Sequence, residues 1–538
     1  MSHNRPQPPS STIVAWCWVL AFAIIGLNFA LQGRLGMDLA DEGFLYYGVL
    51  RVRAGEIPLA DFQSYEPYRY YWCAAWTWLL GDSVYAVRAA TALIGAIGLA
   101  MGLLAVARVI QSPWLLLLTG IAIASSNVLW YRQFDTAAAL IAIWIAVRVA
   151  EHATARGTFT AGVLVALIAG FGRNHGFYSA VAVLAVIITV TWHTLSRAKL
   201  SMLGGYFAGI VVGYLPIIAH CIYVPNYFST FWNDILRELL TGTTNIPLPV
   251  PWPWLLPLGT LAWPNAVLPL GISILFVAVP LTYALTVILL SWHFDRNDPV
   301  HRLLLATLAV GVLYLHHAFS RADGVHLLEG IQAFIPTVVA LLAVAGHRAP
   351  WIRPRAILVV GIFVPFLIVN AFHQPRIVLV RSPPGAYSLI DANGSTLEVP
   401  WQVVSVVAAL REIKTWELRA GETLLLAPHW PMAYALLRLR SPIWEIYHLF
   451  ARTEAFQREE IADLERHHVV FAVFADSAID NRDDRRMSAQ TPLFYRYLLD
   501  NYAPIEGPAL PAPYRLYRRT TPLPPWGRPD SPSQSSNH

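Results

Sequence analysis

Long apolar runs recur through the first two thirds of this 538-residue chain. An α-helix needs about 20 mostly apolar residues to cross the hydrocarbon core of a bilayer, so each run near that length is a candidate span. About eleven runs qualify, and 159–171 is the shortest of them: 12–32, 84–110, 113–130, 134–150, 159–171, 177–193, 203–223, 266–291, 302–319, 325–346 and 355–372. The chain is therefore predicted to be a polytopic α-helical membrane protein.

Composition agrees with this prediction and argues against several other classes. Hydrophobic residues make up 56% of the chain and the mean hydropathy is +0.48, far above soluble globular proteins. Cys17, Cys73 and Cys221 lie in or beside apolar runs without metal-ligand spacing, which argues against a zinc site or a disulfide framework. The net charge of +5 is expected of a membrane protein with basic cytoplasmic loops, and it does not indicate nucleic-acid binding.

The basic residues between the runs predict the orientation of the chain. With the N-terminus placed in the cytoplasm, most of these residues fall in cytoplasmic segments: Arg5, Arg108, Arg148, Arg156, Arg197, Lys199, Arg296, Arg302, Arg348, Arg353 and Arg355. The short outer turns carry only Arg132, Arg173 and Arg321. This asymmetry follows the positive-inside rule. We therefore predict a multi-pass protein of the plasma (inner) membrane, with a cytoplasmic N-terminus and an extracytoplasmic C-terminal part.

The sequence pattern changes after residue 372. The segments "ETLLLAPHW", "VVFAVFADSAID" and "YRLYRR" are typical of β-strands, whereas 401–417 and 452–466 have helical apolar spacing. These patterns predict a small α/β soluble domain at 373–520 on the outer side of the membrane, after a transmembrane domain at 1–372. The end of the chain, 521–538, is rich in Pro and Ser and is predicted to be disordered.

Charged residues make up only 13% of the chain, yet many gather at the predicted outer ends of the spans. The stretch 36–72 alone holds six acidic residues and three arginines. The other outer turns add further ionisable side chains: Arg132, Asp135, Arg173, His175, His316, His317, Arg321, Asp323, His326 and Glu329. Charged groups inside the bilayer cost roughly 2.5–3.5 kcal/mol each on insertion scales, so they commonly face a polar cavity and indicate function. One outer cavity could gather all of these groups.

Each cluster also has a purely structural explanation. Asp41 can cap a helix at 42–54, and the Arg and Asp neighbours in the other turns can form local ion pairs at the membrane interface. His175 can simply hydrogen-bond a neighbouring helix. Glu329 is harder to explain in this way, because it follows His326 by one turn inside an apolar run, where an unpaired carboxylate is costly.

Two motifs resemble those of a known family. The first outer loop reads "ADEGFLYYGVLRVRAGEIPLADFQSYEPYRYYW", and an Arg/Asp turn, "YRQFDTAAAL", precedes the fourth run. With these motifs, residues 12–372 resemble the integral-membrane glycosyltransferases of the GT-C superfamily, in particular the group with protein O-mannosyltransferases and lipid A aminoarabinose transferases. The resemblance implies a GT-C-like transmembrane fold and a sugar donor on a polyprenyl phosphate, reached from within the membrane.

The resemblance also implies roles for single residues. By position, Asp41 matches the catalytic carboxylate of the first outer loop, Glu42 its neighbour, and Asp135 the Asp of the fourth span. The residues expected to bind the donor phosphate rest on chemistry alone, because Arg binds phosphate in a bidentate manner and His can add a donor. They are Arg173, His175, Arg321 and His326.

Four further residues are expected to support these: Asp61, Arg69, Asp323 and Glu329. Among them, Asp323 would orient Arg321, and Glu329 would hold His326 in a donor tautomer. A divalent metal bound to Glu42, Asp135 or a histidine stays open, because the spacing does not indicate a metal site.

These observations predict a glycosyltransferase that moves a sugar from a polyprenyl phosphate to an envelope acceptor (a lipid, a glycan or a protein) with inversion at the anomeric carbon. Asp41 would be the base that takes the acceptor proton, and cations would stabilise the leaving phosphate. No G-x-G-x-x-G or Walker-type loop occurs in the sequence, which argues against a soluble nucleotide-sugar site. Two alternatives stay open. One is a secondary transporter or lipid flippase, with polar residues at mid-membrane depth, and the other is a catalytically inactive scaffold.

Overall fold

The computed structural model describes residues 9–127, 129–194, 196–241, 246–257, 259, 265–348, 364–418 and 423–522. Half of the predicted run at 355–372 and almost all of the tail at 521–538 lie outside these residues. The helices up to residue 241 are α1 (Ser11–Gln32), α2 (Asp41–Arg53), α3 (Pro67–Leu80), α4 (Val84–Val106), α5 (Pro113–Ser125), α6 (Gln133–Glu151), α7 (Ala155–Phe171), α8 (Arg173–Val190), α9 (Ser196–Tyr223) and α10 (Tyr227–Thr241). The helices that follow are α11 (Val267–Trp292), α12 (Pro299–Ser320), α13 (Gly324–Gly330), α14 (Phe334–Arg348), α15 (Val364–His373) and α16 (Pro375–Arg381).

Polar residues in the short turns start several of these apolar helices. The Ser83 hydroxyl accepts a hydrogen bond from the backbone N–H of Ala86 at 3.2 Å, at the start of α4. The Thr154 hydroxyl accepts from the N–H of Gly157 at 3.1 Å, at the start of α7. Such caps satisfy N–H groups that the first turn of a helix leaves without a partner. At these two helices, the residue just before the apolar run therefore helps to set where the helix begins.

The helices form one bundle whose centre and periphery differ in burial. Within an apolar stretch of 18 residues in each helix, 78% of the residues of α4 and 83% of those of α6 are buried. In α1 and α9 the buried share is only 22%. Exposed apolar side chains on the outer helices are those expected to face lipid. Two glycines permit close contact between α7 and α9. A Cβ atom at Gly162 would overlap the Tyr206 carbonyl, and one at Gly209 would overlap the Phe159 carbonyl.

Ten of the predicted runs contain a helix, and α15 covers the described part of the eleventh. Among the described residues, seven helices are long and apolar enough to cross a membrane, or eight when α13 and α14, bent by 55°, are counted as one span. α5 and α7 are shorter apolar helices. The predicted class of polytopic helical membrane protein is confirmed.

From Tyr387 onward the chain forms a mixed α/β region, named here the C-terminal domain. Its elements are β1 (Tyr387–Asp391), β2 (Thr396–Pro400), α17 (Trp401–Glu417), β3 (Leu425–Leu426), α18 (Pro431–Leu437), α19 (Glu454–Arg466), β4 (Phe471–Phe474), α20 (Met487–Gln490), α21 (Pro492–Asn501), β5 (Tyr502–Pro504) and β6 (Arg515–Arg519). β1 and β2 form an antiparallel hairpin, and the second sheet has the order β3-β4-β6-β5, in which only β3 and β4 are parallel. The predicted α/β character and the three predicted strand segments are confirmed.

The C-terminal domain docks on the loop between α1 and α4. Backbone hydrogen bonds join the two parts: Gly36 N–H donates to the Glu398 carbonyl at 2.8 Å, and Glu398 N–H donates to the Arg34 carbonyl at 2.9 Å. Buried apolar residues of α2 and α18 share one hydrophobic core. At Gly43 of α2, a Cβ atom would overlap the backbone of Met432, so only glycine permits this approach. We call this end of the bundle the domain end.

Candidate active site

A cavity of about 180 Å³ lies at the domain end, between the bundle and the C-terminal domain. The bundle lines it from α2, from the loop before α3, from the starts of α3, α6 and α8, from α10 and from the end of α12, while the C-terminal domain adds four residues between 447 and 452. Its ionisable lining residues are carboxylates, arginines and histidines: Glu66, Asp135, Asp234, Arg69, Arg132, Arg173, Arg452, His175 and His317. Four of the predicted site residues, Arg69, Asp135, Arg173 and His175, are therefore brought together.

Arg132, in the short 3-10 turn before α6, is the centre of the charge network. Its Nη2 lies 3.2 Å from Asp41 Oδ2. Its Nη1 lies 3.7 Å from Asp135 Oδ2, and its Nε lies 3.5 Å from Glu329 Oε1. One guanidinium group thus faces three carboxylates from distant parts of the chain. The last two distances exceed the roughly 2.7–2.9 Å of a tight charge-assisted hydrogen bond, so Arg132 keeps capacity for another anion.

Asp135, in the first turn of α6, is buried between two donors. Its Oδ1 lies 3.0 Å from His175 Nε2 and 3.2 Å from Arg69 Nη2. Arg69 is held in place because its Nε also donates to the Phe171 carbonyl at 2.7 Å. On the other side of the imidazole, His175 Nδ1 lies 3.2 Å from the Tyr314 hydroxyl. Asp135 therefore fixes the positions of an arginine and a histidine that both line the cavity.

Glu329 and His326 do not form the predicted pair. Glu329 Oε2 instead lies 2.9 Å from His317 Nε2 of α12. His326 Nδ1 lies 2.9 Å from Asp323 Oδ1, and the same oxygen accepts from the His326 backbone N–H at 2.8 Å. Asp323 caps α13, so it draws the His326 ring toward the start of the helix. Asp323, and not Glu329, therefore holds the His326 ring. His326 does not line the cavity.

Arg173, the first residue of α8, lies where the bundle meets the C-terminal domain. Its Nε lies 2.6 Å from Glu66 Oε1, and its Nη2 lies 3.9 Å from Asp234 Oδ2 of α10. The other oxygen of Asp234 lies 3.9 Å from Arg452 Nη1, and Arg452 Nε binds Glu445 at 2.7 Å. Asp234 therefore lies between an arginine of the bundle and one of the C-terminal domain.

Asp41 begins α2 and lies beside the cavity wall. Besides Arg132, its Oδ2 has the Tyr131 hydroxyl at 3.5 Å, and its side chain is 26% exposed. Asp38, three residues earlier, uses its Oδ1 to accept from the N–H of Ala40 at 2.9 Å. Burial, together with the negative charge of Asp41, raises the pKa of Asp38 to about 6. The loop thus holds two neighbouring carboxylates in different environments.

Asp38→Asn should raise the melting temperature at pH 7–8 and change it little at pH 4. The pKa of Asp38 in the folded chain, about 6, is above its ordinary value of 3.8. Ionisation of Asp38 between these pH values therefore costs folding free energy, and the cost is complete above pH 6. The shift corresponds to roughly 2–3 kcal/mol at most, which Asn removes while still accepting from Ala40. Thermal unfolding from pH 4 to 8 checks this, and a difference independent of pH would contradict it.

Glu42 does not line the cavity and binds Arg88, a charged residue inside the apolar helix α4. Arg88 Nε lies 2.6 Å from Glu42 Oε1, and Arg88 Nη2 lies 2.7 Å from Glu42 Oε2. Arg88 also donates to the carbonyls of Gly33, Leu35 and Gly36 at 2.7–3.1 Å. This buried pair holds the first loop on α4, so the geometry supports a structural role for Glu42 instead of a catalytic one.

Arg321 and Asp61 also lie outside the cavity lining. The Arg321 Nη1 and Nη2 lie 2.6 and 3.0 Å from the two carboxylate oxygens of Asp480 in the C-terminal domain. The predicted contact with Asp323 is present, since Arg321 Nε lies 3.0 Å from Asp323 Oδ2. Asp61 Oδ2 accepts from the Ile57 N–H at 2.7 Å and closes a turn.

Among the residues that the structure describes, no three His, Cys, Asp or Glu side chains are placed to hold a metal ion together. The two carboxylates considered for a metal have other partners. Both oxygens of Glu42 bind Arg88, and Asp135 binds Arg69 and His175. These residues do not fit a divalent ion, and we assign no step to one.

For several residues in and around the site, the sequence does not show which partners they bind. Arg88 is a lone charge in an apolar run, a signal that by itself indicates a buried partner. Arg132 and His317 lie in the charged turns, but their partners Asp41 and Glu329 come from other helices. Docking of the C-terminal domain brings Arg452 to the cavity and Asp480 to Arg321, and no local pattern indicates either contact.

Comparison with known proteins gives matches among solved structures only. No family model and no curated protein matches this sequence. The chain is similar to the archaeal oligosaccharyltransferase AglB from Archaeoglobus fulgidus, in complex with an inhibitory peptide and a dolichol-phosphate, at 11% identity and a TM-score of 0.44 over 86% of this chain and 69% of that one. It is also similar to ArnT from Cupriavidus metallidurans bound to undecaprenyl phosphate, at 12% identity and a TM-score of 0.39 over 94% of this chain and 97% of that one.

Proposed function

We propose that this protein transfers a sugar from a polyprenyl phosphate to an acceptor at the domain end of the bundle, on the extracytoplasmic face of the plasma (inner) membrane. The observation that carries the proposal is the cavity between bundle and C-terminal domain, in which arginines, histidines and carboxylates from separate segments face one space. Transfer needs both kinds of group side by side, because one stabilises the leaving phosphate and the other accepts a proton.

Arg132 and Arg173 are the best-placed ligands for the donor phosphate. Both line the cavity, and each has a long ion pair that a phosphate could replace: 3.7 Å from Arg132 to Asp135 and 3.9 Å from Arg173 to Asp234. His175 lies on the same wall and can add a hydrogen bond. We assign the phosphate to these residues in preference to Arg321, whose guanidinium fork already binds Asp480.

Asp41 is the proposed base. It takes the proton of an acceptor hydroxyl while the hydroxyl oxygen forms a bond to the anomeric carbon. The bond from that carbon to the phosphate oxygen breaks, and the phosphate leaves with the electron pair, stabilised by Arg132 and Arg173. Arg132 contacts Asp41 as well, so one guanidinium group links the base to the leaving group. A single displacement of this kind inverts the anomeric carbon.

A second groove, of about 580 Å³, adjoins the cavity and supports an acceptor rich in hydroxyl groups. It lies between α10 and α19, and it shares Asp234 and Arg452 with the cavity. Its walls carry amide, hydroxyl and carboxylate side chains beside Trp444. These groups can both donate to and accept from sugar hydroxyls, which favours a glycan-bearing acceptor.

Transport across the membrane has less support. A transporter needs polar side chains near the middle of the membrane, at the contact between related halves. The ion pairs described for the long apolar helices lie near helix ends, as with Asp135 of α6 and Arg88 of α4. Mass spectrometry of envelope lipids and glycans, with and without the protein, tests the proposal. A missing sugar modification is expected, and an unchanged envelope together with movement of a lipid across vesicles would overturn it.

Arg173→Lys should weaken the binding of polyprenyl phosphate by about 10- to 30-fold, whereas Arg321→Lys should leave the affinity unchanged. Lysine keeps one positive charge at each position but loses the planar fork that binds phosphate through two hydrogen bonds. Arg321→Lys should instead lower the melting temperature, because it weakens the bidentate contact with Asp480. Affinity and thermal stability are measured on the same purified samples. If Arg321→Lys weakens the binding of polyprenyl phosphate and Arg173→Lys does not, Arg321 is the phosphate ligand.

A further inference from the structure

A groove of about 380 Å³ runs between α6 and α7 at the end of the bundle opposite the C-terminal domain. It is separate from the active-site cavity. Asp135 and Arg148 both belong to α6, and a rise of about 1.5 Å per residue places them on the order of 20 Å apart along the helix. No residue of the proposed transfer reaction lines this groove.

The groove changes from apolar to basic along its length. Trp144 and Ile145 of α6 and Leu164 of α7 line the part that lies deeper in the bundle. Arg148, His152 and Arg156 line the mouth, where the two helices join. Because equivalent positions recur every three to four residues on each helix, the apolar and basic parts follow one another along a single face. Such a gradient fits an amphiphile with an anionic head.

The charge at the mouth is positive and not fully paired. Arg148 binds Glu151 at 2.9 Å, but Glu151 is also shared with Arg108 at 3.2 Å, so one carboxylate serves two arginines. The Arg148 side chain is still 45% exposed. Arg156 is exposed, and among the described residues its guanidinium group has no hydrogen-bond or ion-pair partner.

We propose that this groove binds one anionic phospholipid, with its phosphate at Arg148 and Arg156 and an acyl chain along Trp144 and Leu164. Basic pockets between transmembrane helices are suited to anionic headgroups, because each nearby Arg adds electrostatic attraction and the helices supply an apolar wall. A net negative headgroup is required, since a zwitterionic lipid gains little from an excess of arginine. The proposal is independent of the transfer reaction at the domain end.

The test is the binding of phosphatidylglycerol and phosphatidylcholine to the detergent-solubilised protein, measured by native mass spectrometry. The full-length protein should prefer phosphatidylglycerol at least tenfold. Arg148→Ala with Arg156→Ala should weaken phosphatidylglycerol binding by about 30-fold, since each near-surface Arg contributes roughly a fivefold factor in affinity. The control, Arg197→Ala with Lys199→Ala, removes the same charge from α9 outside the groove and should change binding less than twofold.

Thr160→Trp tests whether lipid binding depends on the groove itself or only on positive charge at the surface. Thr160 is exposed and lines the groove, so a tryptophan there fills the space and leaves every charge in place. Phosphatidylglycerol binding should fall at least tenfold, with an unchanged melting temperature. The proposal is overturned if Thr160→Trp binds like the unmodified protein, if the control loses as much as the Arg148 and Arg156 variant, or if both lipids bind equally.

Discussion

Replacing Asp41 by asparagine should lower the rate of sugar transfer by roughly 10²–10⁴-fold, the usual contribution of a general base. Asparagine keeps the shape of the side chain and an oxygen for the Arg132 and Tyr131 donors, so the loop should stay folded. It cannot accept the acceptor proton at neutral pH. The measurement is the turnover of a polyprenyl-phosphate sugar by purified protein, together with the melting temperature of each sample.

Asp61→Asn is the matched comparison for this experiment. Asp61 belongs to the same acidic loop, but its carboxylate accepts from the Ile57 N–H and closes a turn, whereas the Asp41 carboxylate contacts Arg132 of the cavity lining. Its variant should therefore lose far less activity than Asp41→Asn. Near-normal turnover of Asp41→Asn would remove Asp41 from the role of base, and an equal loss in both variants would point to a general effect on the loop.

Breaking the buried pair of Glu42 and Arg88 should destabilise the protein by about 3–5 kcal/mol, because the remaining charge would stay buried without its partner. Arg88→Met should cost more than Glu42→Gln. The arginine also donates to the carbonyls of Gly33, Leu35 and Gly36, and methionine would leave all three without that donor. Thermal unfolding in detergent, followed by intrinsic fluorescence, measures both variants.

A double variant, Glu42→Leu with Arg88→Met, tests the reason for that loss when it is compared with Glu42→Leu alone and Arg88→Met alone. Replacing both partners by apolar residues of similar size leaves no uncompensated charge, so the loss should be smaller than the sum of the single losses. Full additivity would mean that the two residues act separately. If Glu42→Gln keeps its stability but loses turnover, Glu42 has a catalytic role that its contacts do not indicate.

Apolar run length predicted where the transmembrane helices lie, because a bilayer requires a minimum length that can be read locally. The same kind of pattern identified α17, α19 and the main strands of the C-terminal domain. It also indicated that Asp135, Arg173 and His175 would meet. These predictions have the same basis. Residues close in sequence determine where a helix or a loop ends, and neighbouring spans end at the same membrane face.

Side-chain partners were harder to predict, because they depend on packing between distant segments. Helical spacing places His326 and Glu329 on one face, yet each binds a residue from another position, as the contacts of Asp323 and His317 show. Arg321 has the chemistry of a phosphate ligand, but Asp480 binds it from more than a hundred residues away along the chain. A charged residue in isolation therefore indicates that a partner exists and does not identify it.

The division of the cavity walls between two distant parts of the chain has a consequence for biosynthesis. Tyr447 and Arg452 complete a space whose other walls come from residues before 318. At about 5–20 residues per second, the ribosome needs on the order of ten seconds or more to make the stretch between them. During that interval the nascent chain lacks part of the cavity wall, so under the proposed function it would not yet transfer sugar from a lipid carrier.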